Sequence, residues 1–484
     1  MHGLCITIAA PTMDALRARR DAWPDGTFTE LRLDAVDRPD VAGALEGRRG
    51  PVLVTCRPRR QGGWFDGAEA DRLALLQQAM ALGAEAVDVE FDAGAPDWCS
   101  PADRPRLVIS HHDFEGMPTD GAALARAMAA TGAGTIKLAV TPSRLTDLLA
   151  LREIGRSFDG RAVVLGMGDV GIVSRVLFQR MHSRWTYASD DRGVAPGQLS
   201  ARTMLKRFRV AQISGATEVY GVVGRPVRHS LSPAMHNAAF AALGRDAVYL
   251  PIAAATFDDF LAVTDAFGIC GASVTAPFKG DAWQACTAHD AWAMATQAVN
   301  TLVQGPQGTW HGKNTDVEGF LQPLAAQLSL NGCRAVVVGT GGAARAVVAA
   351  LHQAGAHVAV HARREDAARL LADSIGGVVA TDLSGASWDL LVNATPVGTS
   401  PAVEASPVPR RALAGVGLVY DLVYNPADTR LLRDARAEGC RTLGGLDMLV
   451  AQAEAQCRAW TGTPPPHGVM RAAAEAALAE GNPS

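Results

Sequence analysis

Val336-Val-Val-Gly-Thr-Gly-Gly-Ala-Ala-Arg345 decides how the second half of this chain is read. A β-branched run ends in clustered glycines, and a small-residue helix follows. Glycines let the backbone turn tightly and approach a pyrophosphate. The helix N-terminus then offers free N–H groups and its positive dipole end to the anion. Taken alone, Gly339, Gly341 and Gly342 are also compatible with mere tight packing. The strand before them and the helix after them favour dinucleotide binding. This turn lies late in the chain, so the residues before it must build something else.

A length of 484 suggests about three domains at roughly 150 residues each, although a barrel can run longer as one unit. Apolar residues make up 48% of the chain, enough for large cores. The net charge of −4 gives no basic surplus for a nucleic-acid partner. Short clusters such as Arg17, Arg19 and Arg20 read as solvated helix faces. The eight cysteines are scattered without C-x-x-C spacing. That speaks against a metal site or a disulfide scaffold and for a reducing compartment. Leu4 to Ala10 is apolar but shorter than a membrane span, ends at Pro11 and Asp14, and follows no basic region. It reads as a strand, so no membrane association is expected and the cytoplasm is the expected compartment.

The first 210 residues alternate strand-like runs with Ala/Leu/Arg-rich helical stretches such as Ala68–Leu82 and Ala122–Ala130. The strands expected are Leu4–Ala10, Thr29–Val36, Val52–Arg57, Ala86–Phe91, Arg106–His112, Thr135–Val140, Ala162–Gly168 and Thr186–Ser189. Eight strands with helical crossovers are the count for a (β/α)8 barrel. Glu30, Arg32, Arg57, His112, Lys137 and Arg175 collect at or near the C-terminal ends of these runs, where barrels build their sites. Singly, each reads as a surface salt-bridge partner; six on one rim read as a site.

Ile213–Thr217 reads as a linker. A second α/β pattern follows, with strands Val219–Val223, Ala247–Pro251 and Gly271–Val274 and helices around Pro233–Leu243 and Phe257–Phe267. Helix Val317–Leu328 leads into the glycine turn. Strands His357–Val360, Leu390–Ala394 and Leu418–Val423, helix Glu365–Ile375 and a long helix from about Leu446 complete it. The expected limits are 1–212 for the barrel, 218–322 for a catalytic α/β domain, 323–442 for a Rossmann-type nucleotide domain, and 443–484 for helices returning to the catalytic domain.

Ahead of the nucleotide turn lie several polar groups. Ser230-Leu-Ser232-Pro is a helix N-cap pattern with Pro233 at the first helical position. Ser273-Val-Thr-Ala-Pro-Phe-Lys279 puts a lysine just after a buried strand. Asn300-Thr301 and Asn314-Thr-Asp316 lie in turns. A lone Lys or Asp is usually a solvated surface group. A Lys and an Asp that face each other beside a nicotinamide manage the proton that accompanies hydride transfer.

Taken with Gly224–His236, Ala298–Leu302, Lys313–Asp316, Asn393-Ala-Thr395 and Gly445–Gln452, these stretches resemble shikimate dehydrogenase, in order, over residues 218 to 462. The resemblance implies that Ser230, Ser232, Thr275, Asn300, Tyr424 and Gln452 hold the substrate's hydroxyls and carboxylate. It implies that Lys279 and Asp316 are the catalytic pair, with hydride passing between nicotinamide and the ring C3. It also implies a cofactor site at Gly339, Gly341, Gly342, Ala343, Thr395, Gly445 and Met448. The strand after the glycine turn ends Val358-Ala-Val-His-Ala-Arg-Arg364. Arginines there suit a 2′-phosphate, whereas an Asp or Glu would suit NAD, so NADP(H) is expected, held by Arg363 and Arg364. The usual Asn-Arg-Thr of the family is replaced by His361-Ala362-Arg363.

The first half resembles the type I 3-dehydroquinate dehydratases. The motifs are Glu30-Leu-Arg-Leu-Asp34, Thr55-Cys-Arg-Pro58 with Gly62-Gly63, Ser110-His-His-Asp-Phe114, Ile136–Val140, Gly166–Arg175 and Ala195-Pro-Gly-Gln198. The resemblance implies that Lys137 forms a Schiff base with the substrate ketone. An iminium withdraws electrons and makes the adjacent C–H acidic. His112 would remove that proton and return it to the departing hydroxyl. Glu30, Arg32, Arg57, Arg175 and Gln198 would hold the substrate, and nearby arginines would help keep part of Lys137 neutral. Gln61 stands where the family usually has a Glu that orients the histidine, and Val194 where it often has Ser.

Together the two resemblances imply consecutive steps: 3-dehydroquinate to 3-dehydroshikimate, then to shikimate. Two rivals are a catabolic NAD-dependent quinate or shikimate oxidation enzyme and a non-catalytic sensor. Arg363-Arg364 leans against the first. A sensor has no need to keep Lys137, His112, Lys279 and Asp316 together, and no basic DNA-reading segment is evident. Oligomeric state is not legible.

Overall fold

Eight short parallel strands organise the first half: β1 (Gly3–Ile8), β2 (Thr29–Arg32), β3 (Val52–Thr55), β4 (Ala86–Glu90), β5 (Leu107–Asp113), β6 (Thr135–Val140), β7 (Ala162–Gly166) and β8 (Trp185–Ser189). The computed structural model describes residues 3–94, 96–158, 160–190, 197–383 and 387–480. The strand order is β7-β6-β5-β4-β3-β2-β1-β8. Arg184 N donates to Ala162 O at 2.8 Å, where the chain enters β8 beside the start of β7. All eight expected strands are present.

Side chains alternate across a strand, so every second residue faces the barrel interior. One end of that interior is apolar, filled by Cys5, Phe28, Leu53, Ala86, Val108, Val163 and Trp185. Trp185 meets Phe28 edge-on at 5.5 Å. Polar residues enter the interior toward the other end: Thr7, Glu30, Arg57, His112 and Lys137 line a cavity together with the apolar Ala139, Leu165 and Met167. The strand pattern itself therefore carries the side chains of the rim. β2 stops at Arg32, short of the expected end at Val36, because Leu33–Ala35 winds into a 3-10 turn. The Arg32 guanidinium closes that turn on the Asp34 carboxylate with bonds of 2.9 and 2.7 Å.

The described chain divides into two compact units, Met1–Arg228 with Asp246–Ile269, and His229–Arg245 with Cys270–Ser484. The first unit thus takes in β9 (Glu218–Gly224) and β10 (Ala247–Ala253), which pair in parallel. The expected linker before β9 is tied down: Ser214 N donates to Thr217 Oγ1, which donates to Asp246. The expected helix Phe257–Phe267 is α-helical only over Phe257–Leu261. Its buried Asp259 carboxylate accepts from the backbone N–H groups of Leu145 and Thr146 at 2.8 and 3.0 Å.

In the second unit β11 (Ile269–Val274), β13 (Thr301–Gln304) and β14 (Trp310–Lys313) form an antiparallel run, and β12 (Ala288–His289) pairs in parallel with β14. A parallel sheet follows, built from β15 (Arg334–Val338), β16 (His357–His361), β17 (Val378–Val379), β18 (Leu390–Asn393), β19 (Leu418–Asp421) and β20 (Arg441–Leu443), ordered β17-β16-β15-β18-β19-β20. The order reverses direction between β15 and β18, the place where such sheets bind ligands. Both faces are covered. Val337 joins a core with Phe320, Val347 and Leu351, while Val336 and Val338 join one with Leu391, Val419 and Leu431.

Candidate active sites

Glu30, Arg32, Arg57, His112, Lys137 and Arg175 line one cavity in the barrel, together with Thr7, Gln61, Tyr187 and Gln198. All six residues expected on one rim thus meet. Lys137 Nζ donates to Asp88 at 3.1 Å, lies 3.9 Å from Glu30 and sits 4.4 Å from the centre of the Tyr187 ring. Glu30 accepts from Thr7 and Thr55, and Gln198 Nε2 donates to Thr7 Oγ1. The arginine beside Lys137 is Arg57: both donate to the same Asp88 oxygen, at 2.8 and 3.1 Å, while Arg32 is turned onto Asp34.

Asp88 and Glu90 were not singled out from sequence, although Ala86-Val-Asp-Val-Glu90 alternates and puts both acids on the inward face. Asp88 takes both Nη atoms of Arg57 at 3.1 and 2.8 Å and the Ser110 hydroxyl at 2.5 Å. Burial alone would raise its pKa. Arg57 and Lys137 outweigh that and hold it well below the usual carboxylate range. Arg175 is different. It is buried, its Nε donates to the Gly166 carbonyl at 3.0 Å, and it pairs with no carboxylate among the described residues. Burial pulls its pKa down to about 10. A buried guanidinium with no counter-ion is a place for a ligand anion.

His112 stacks on Phe114, and its Nδ1 is buried without a hydrogen-bond partner among the described residues. Burial first, then Arg57 and Lys137, push the imidazole well below its usual 6.5. Gln61 Oε1 accepts from the His112 backbone N–H at 3.0 Å, so it fastens the strand end rather than the ring. The turn at Gly62 (φ +76°) presses on Phe114, whose ring atoms a Cβ there would meet at 2.3 Å. Val194 lies outside the described residues, as do Ala195 and Pro196 of the motif ending at Gln198.

In the second unit Lys279 opens the helix Lys279–Ala285 and donates to Asp316 at 2.5 Å. Asp316 lies in the first turn of the helix Thr315–Ala325, which Asn314 caps by accepting from Asp316 N. Asn300 Nδ2 donates to the other Asp316 oxygen at 2.7 Å, while its Oδ1 accepts from Thr315 N at 2.8 Å. The expected Lys–Asp pair and Asn300 are thus one cluster. Gln452 is buried beside the same helix: a Cβ on Gly319 would meet its Cβ at 2.6 Å. No hydrogen bond among the described residues joins Ser230, Ser232, Thr275 or Tyr424 to the Lys279–Asp316 pair. Ser230 Oγ accepts from Ser232 N at the start of the helix Ser232–Ala242.

The glycine turn behaves as a cradle. Gly339 has φ +126°, and a Cβ there would meet Ala394 O at 3.0 Å and Thr395 Cγ2 at 3.1 Å. Gly341 and Gly342 are exposed at the start of the helix Gly342–Gln353, which has no side-chain cap. A Cβ on Gly342 would lie 4.0 Å from Lys279 Cδ, so the turn borders the Lys–Asp pair. Ala343 is half-buried in the helix's first turn. Thr395 is held by Asn393 Oδ1, and Asn393 Nδ2 by the buried Asp421. Gly445 begins the helix Gly445–Thr461, where a Cβ would meet Leu422 O at 2.3 Å. Met448 packs into the core with Phe320 and Tyr420. Arg364 lines a cleft with Thr340 and Arg345; Arg363 is exposed and outside that lining.

A barrel cavity centred on a lysine, and a Lys–Asp pair bordering a nucleotide-type glycine turn, define a two-module α/β enzyme. Residues 4–214 match the type I 3-dehydroquinase family. Residues 222–302 match the shikimate dehydrogenase substrate binding domain, and residues 445–475 the shikimate 5′-dehydrogenase C-terminal domain. The chloroplastic bifunctional 3-dehydroquinate dehydratase/shikimate dehydrogenase of Arabidopsis thaliana is 33% identical over 96% of this chain and 82% of its own length. The NADP(+) shikimate dehydrogenase of Anaeromyxobacter dehalogenans is 44% identical over 54% of this chain and 98% of its own. The crystal structure of shikimate 5-dehydrogenase from Thermus thermophilus in complex with NADP(H) and shikimate aligns with a TM-score of 0.50 at 38% identity, covering 54% of this chain and all of that one. The chain belongs to the bifunctional 3-dehydroquinate dehydratase/shikimate dehydrogenase family. No helix among the described residues is long and apolar enough to cross a membrane.

Proposed function

We propose that this chain dehydrates 3-dehydroquinate to 3-dehydroshikimate in its barrel and reduces that product to shikimate with NADPH in its second module. The observation that carries this reading is the pairing of two sites on one chain: Lys137, His112 and Arg175 around one cavity, and Lys279 on Asp316 at the glycine turn. Supplying 3-dehydroquinate and NADPH and detecting shikimate tests it. The module limits 1–212, 218–322, 323–442 and 443–484 stand as part of the proposal. So does the cytoplasm, in keeping with eight free cysteines.

In the barrel, Lys137 Nζ adds to the substrate ketone and water leaves, giving an iminium. Asp88 keeps that nitrogen aimed into the cavity. Arg175, which pairs with no carboxylate among the described residues, takes the substrate carboxylate. Glu30, Arg32, Arg57 and Gln198 surround the hydroxyls. His112, kept neutral by its surroundings, takes the acidified C–H proton and returns it to the departing hydroxyl, after which water hydrolyses the product iminium and frees Lys137 and 3-dehydroshikimate. A carboxylate at position 61 changes this balance. The Gln61→Glu variant should raise the His112 pKa, because a carboxylate nearby favours the charged imidazole. The rate needs neutral His112, so the acidic limb of the kcat/KM profile should move to higher pH. An unmoved limb would show that position 61 acts on the backbone alone.

In the second module, the Gly339 cradle, the uncapped helix start at Gly341–Gly342 and Thr395 fit a dinucleotide pyrophosphate. NADPH, when bound, supplies the hydride. Lys279 protonates the substrate oxygen and Asp316 holds Lys279 in place, while Ser230, Ser232, Thr275, Asn300, Tyr424 and Gln452 bind the substrate's polar groups. Gly445 and Met448 pack the start of the last long helix against the cofactor side. Arg364, with Arg363 or Arg345, takes the 2′-phosphate. One charge-assisted contact is worth about 1.5–3 kcal/mol, so Arg364→Ala should raise KM for NADPH roughly tenfold to a hundredfold. KM for NADH should stay nearly unchanged. Equal use of both cofactors by the unmodified chain would instead favour the catabolic reading.

A further inference from the structure

The helix Gly445–Thr461 carries two glutamines one turn apart, Gln452 and Gln456. Only Gln452 belongs to the substrate set proposed above. Gln456 is 1% exposed and hydrogen-bonded at both ends. Its Nε2 donates to the Asn300 carbonyl at 3.3 Å and to Thr301 Oγ1 at 3.1 Å. Its Oε1 accepts from the Ser273 hydroxyl at 2.7 Å and lies 3.3 Å from His236 Nε2. A carboxamide has two donor hydrogens and two acceptor lone pairs, so these four contacts use its whole capacity. One side chain thereby ties β11, the start of β13 and the helix Ser232–Ala242 to the last long helix. His236 adds no charge to this knot, since burial takes its pKa down to about 3.

A satisfied buried glutamine is ordinarily architecture. Here its partner is the residue that reaches the reacting pair. Asn300 spends its side chain on Asp316 Oδ1 at 2.7 Å and on Thr315 at 3.0 and 2.8 Å, and Thr301 Oγ1 donates to Asn300 Oδ1 at 2.8 Å. Asp316 in turn receives Lys279. The chain of contacts runs Gln456, Asn300 and Thr301, Asp316, Lys279, with no break. We infer that Gln456 is a positioning residue of the dehydrogenase site, setting Asn300 so that its amide holds Asp316 in register with Lys279. The inference rests on the dehydrogenase reading above.

The test uses the full chain, whose dehydratase activity serves as an internal control for folding. Gln456→Met keeps length and removes every polar contact. A small displacement of a reacting group costs up to about a hundredfold, so kcat for shikimate oxidation should fall roughly tenfold to a hundredfold. KM for NADP+ should stay within about twofold, since uniform cofactor binding is untouched. The deuterium effect on kcat, with shikimate labelled at the carbon that loses hydride, should rise as chemistry slows relative to release. Gln456→Glu keeps the acceptor, and burial keeps its carboxyl protonated and able to donate once, so its kcat should fall between those of Gln456→Met and the parent. A Gln456→Met kcat at the parental level, or equal losses in the Glu and Met variants, would overturn the inference. Should Gln456→Met lose both activities by misfolding, Gln456→Glu and Thr301→Val decide, and parental kcat in both overturns it. If the unmodified chain does not oxidise shikimate with NADP+, the dehydrogenase reading itself falls.

Discussion

Lys137→Met is expected to abolish dehydration of 3-dehydroquinate while shikimate oxidation continues at the parental rate. The lysine supplies both the covalent bond to substrate and the electron sink that acidifies the neighbouring C–H. Losing both should cost about 10⁴-fold or more in kcat, which is roughly 5 kcal/mol of barrel transition-state stabilisation. The variant should still fold. Asp88, the carboxylate that Lys137 touches, keeps its two-pronged contact with Arg57 and the Ser110 hydroxyl, and Glu30, 3.9 Å from Lys137, keeps the hydroxyls of Thr7 and Thr55. Borohydride in the presence of substrate or product should add a ligand mass to the peptide holding Lys137 in the parent and to none in the variant. A label elsewhere, or dehydration that survives the substitution, would remove Lys137 from its proposed place.

Much of this site was legible because a barrel strand is periodic. Once β5 and β6 were drawn, their two-residue period put His112 and Lys137 on inward positions, and both line the cavity, His112 as the next-to-last residue of β5 and Lys137 as the third of six in β6. Asp88 and Glu90 obey the same period, but a buried acid is tolerable only beside its partner, which the period does not show. Arg57, from a different strand, is what makes them tolerable, and that meeting depends on tertiary structure. Gln61 is the opposite case. Sequence placed it near the histidine, but only the structure shows its oxygen on the His112 backbone N–H, with Nδ1 buried and unbonded among the described residues.

The second module was legible where local chemistry is strong, as at Gly339–Gly342, and illegible where strands are short. β13 and β14 hold four residues each, and β12 and β17 two, too few for periodicity to register. Asn300-Thr301 and Asn314-Thr-Asp316 are expected in turns; Asn300 does lie in a bend and Asn314 between elements, but Thr301 opens β13, and Thr315 and Asp316 begin the helix that Asn314 caps. Gln456 gave no local signal at all. A polar residue one turn beyond Gln452 reads as the edge of an amphipathic face, and its four partners come from segments far away in sequence.

Lys279→Met should lower kcat for shikimate oxidation by roughly 10²–10⁴-fold, the usual range for losing a positioned proton donor or acceptor. Three observations set this expectation. Lys279 is the first residue of its helix, its ammonium rests on Asp316 at 2.5 Å, and its side chain borders Gly342 of the nucleotide turn. The Met variant keeps the stem that packs beside that glycine and removes only the proton-carrying end. KM for NADP+ should therefore change little, and the dehydratase reaction, with its own lysine in the other module, should not change at all. Asp316→Asn separates the two members of the pair. It keeps an acceptor for Lys279 and loses the charge, so a smaller fall is expected than in Lys279→Met. If Lys279→Met instead raises KM for NADP+ with kcat intact, the lysine is a cofactor contact rather than the proton carrier. Proton transfer would then have to be assigned to another group that reaches the substrate oxygen.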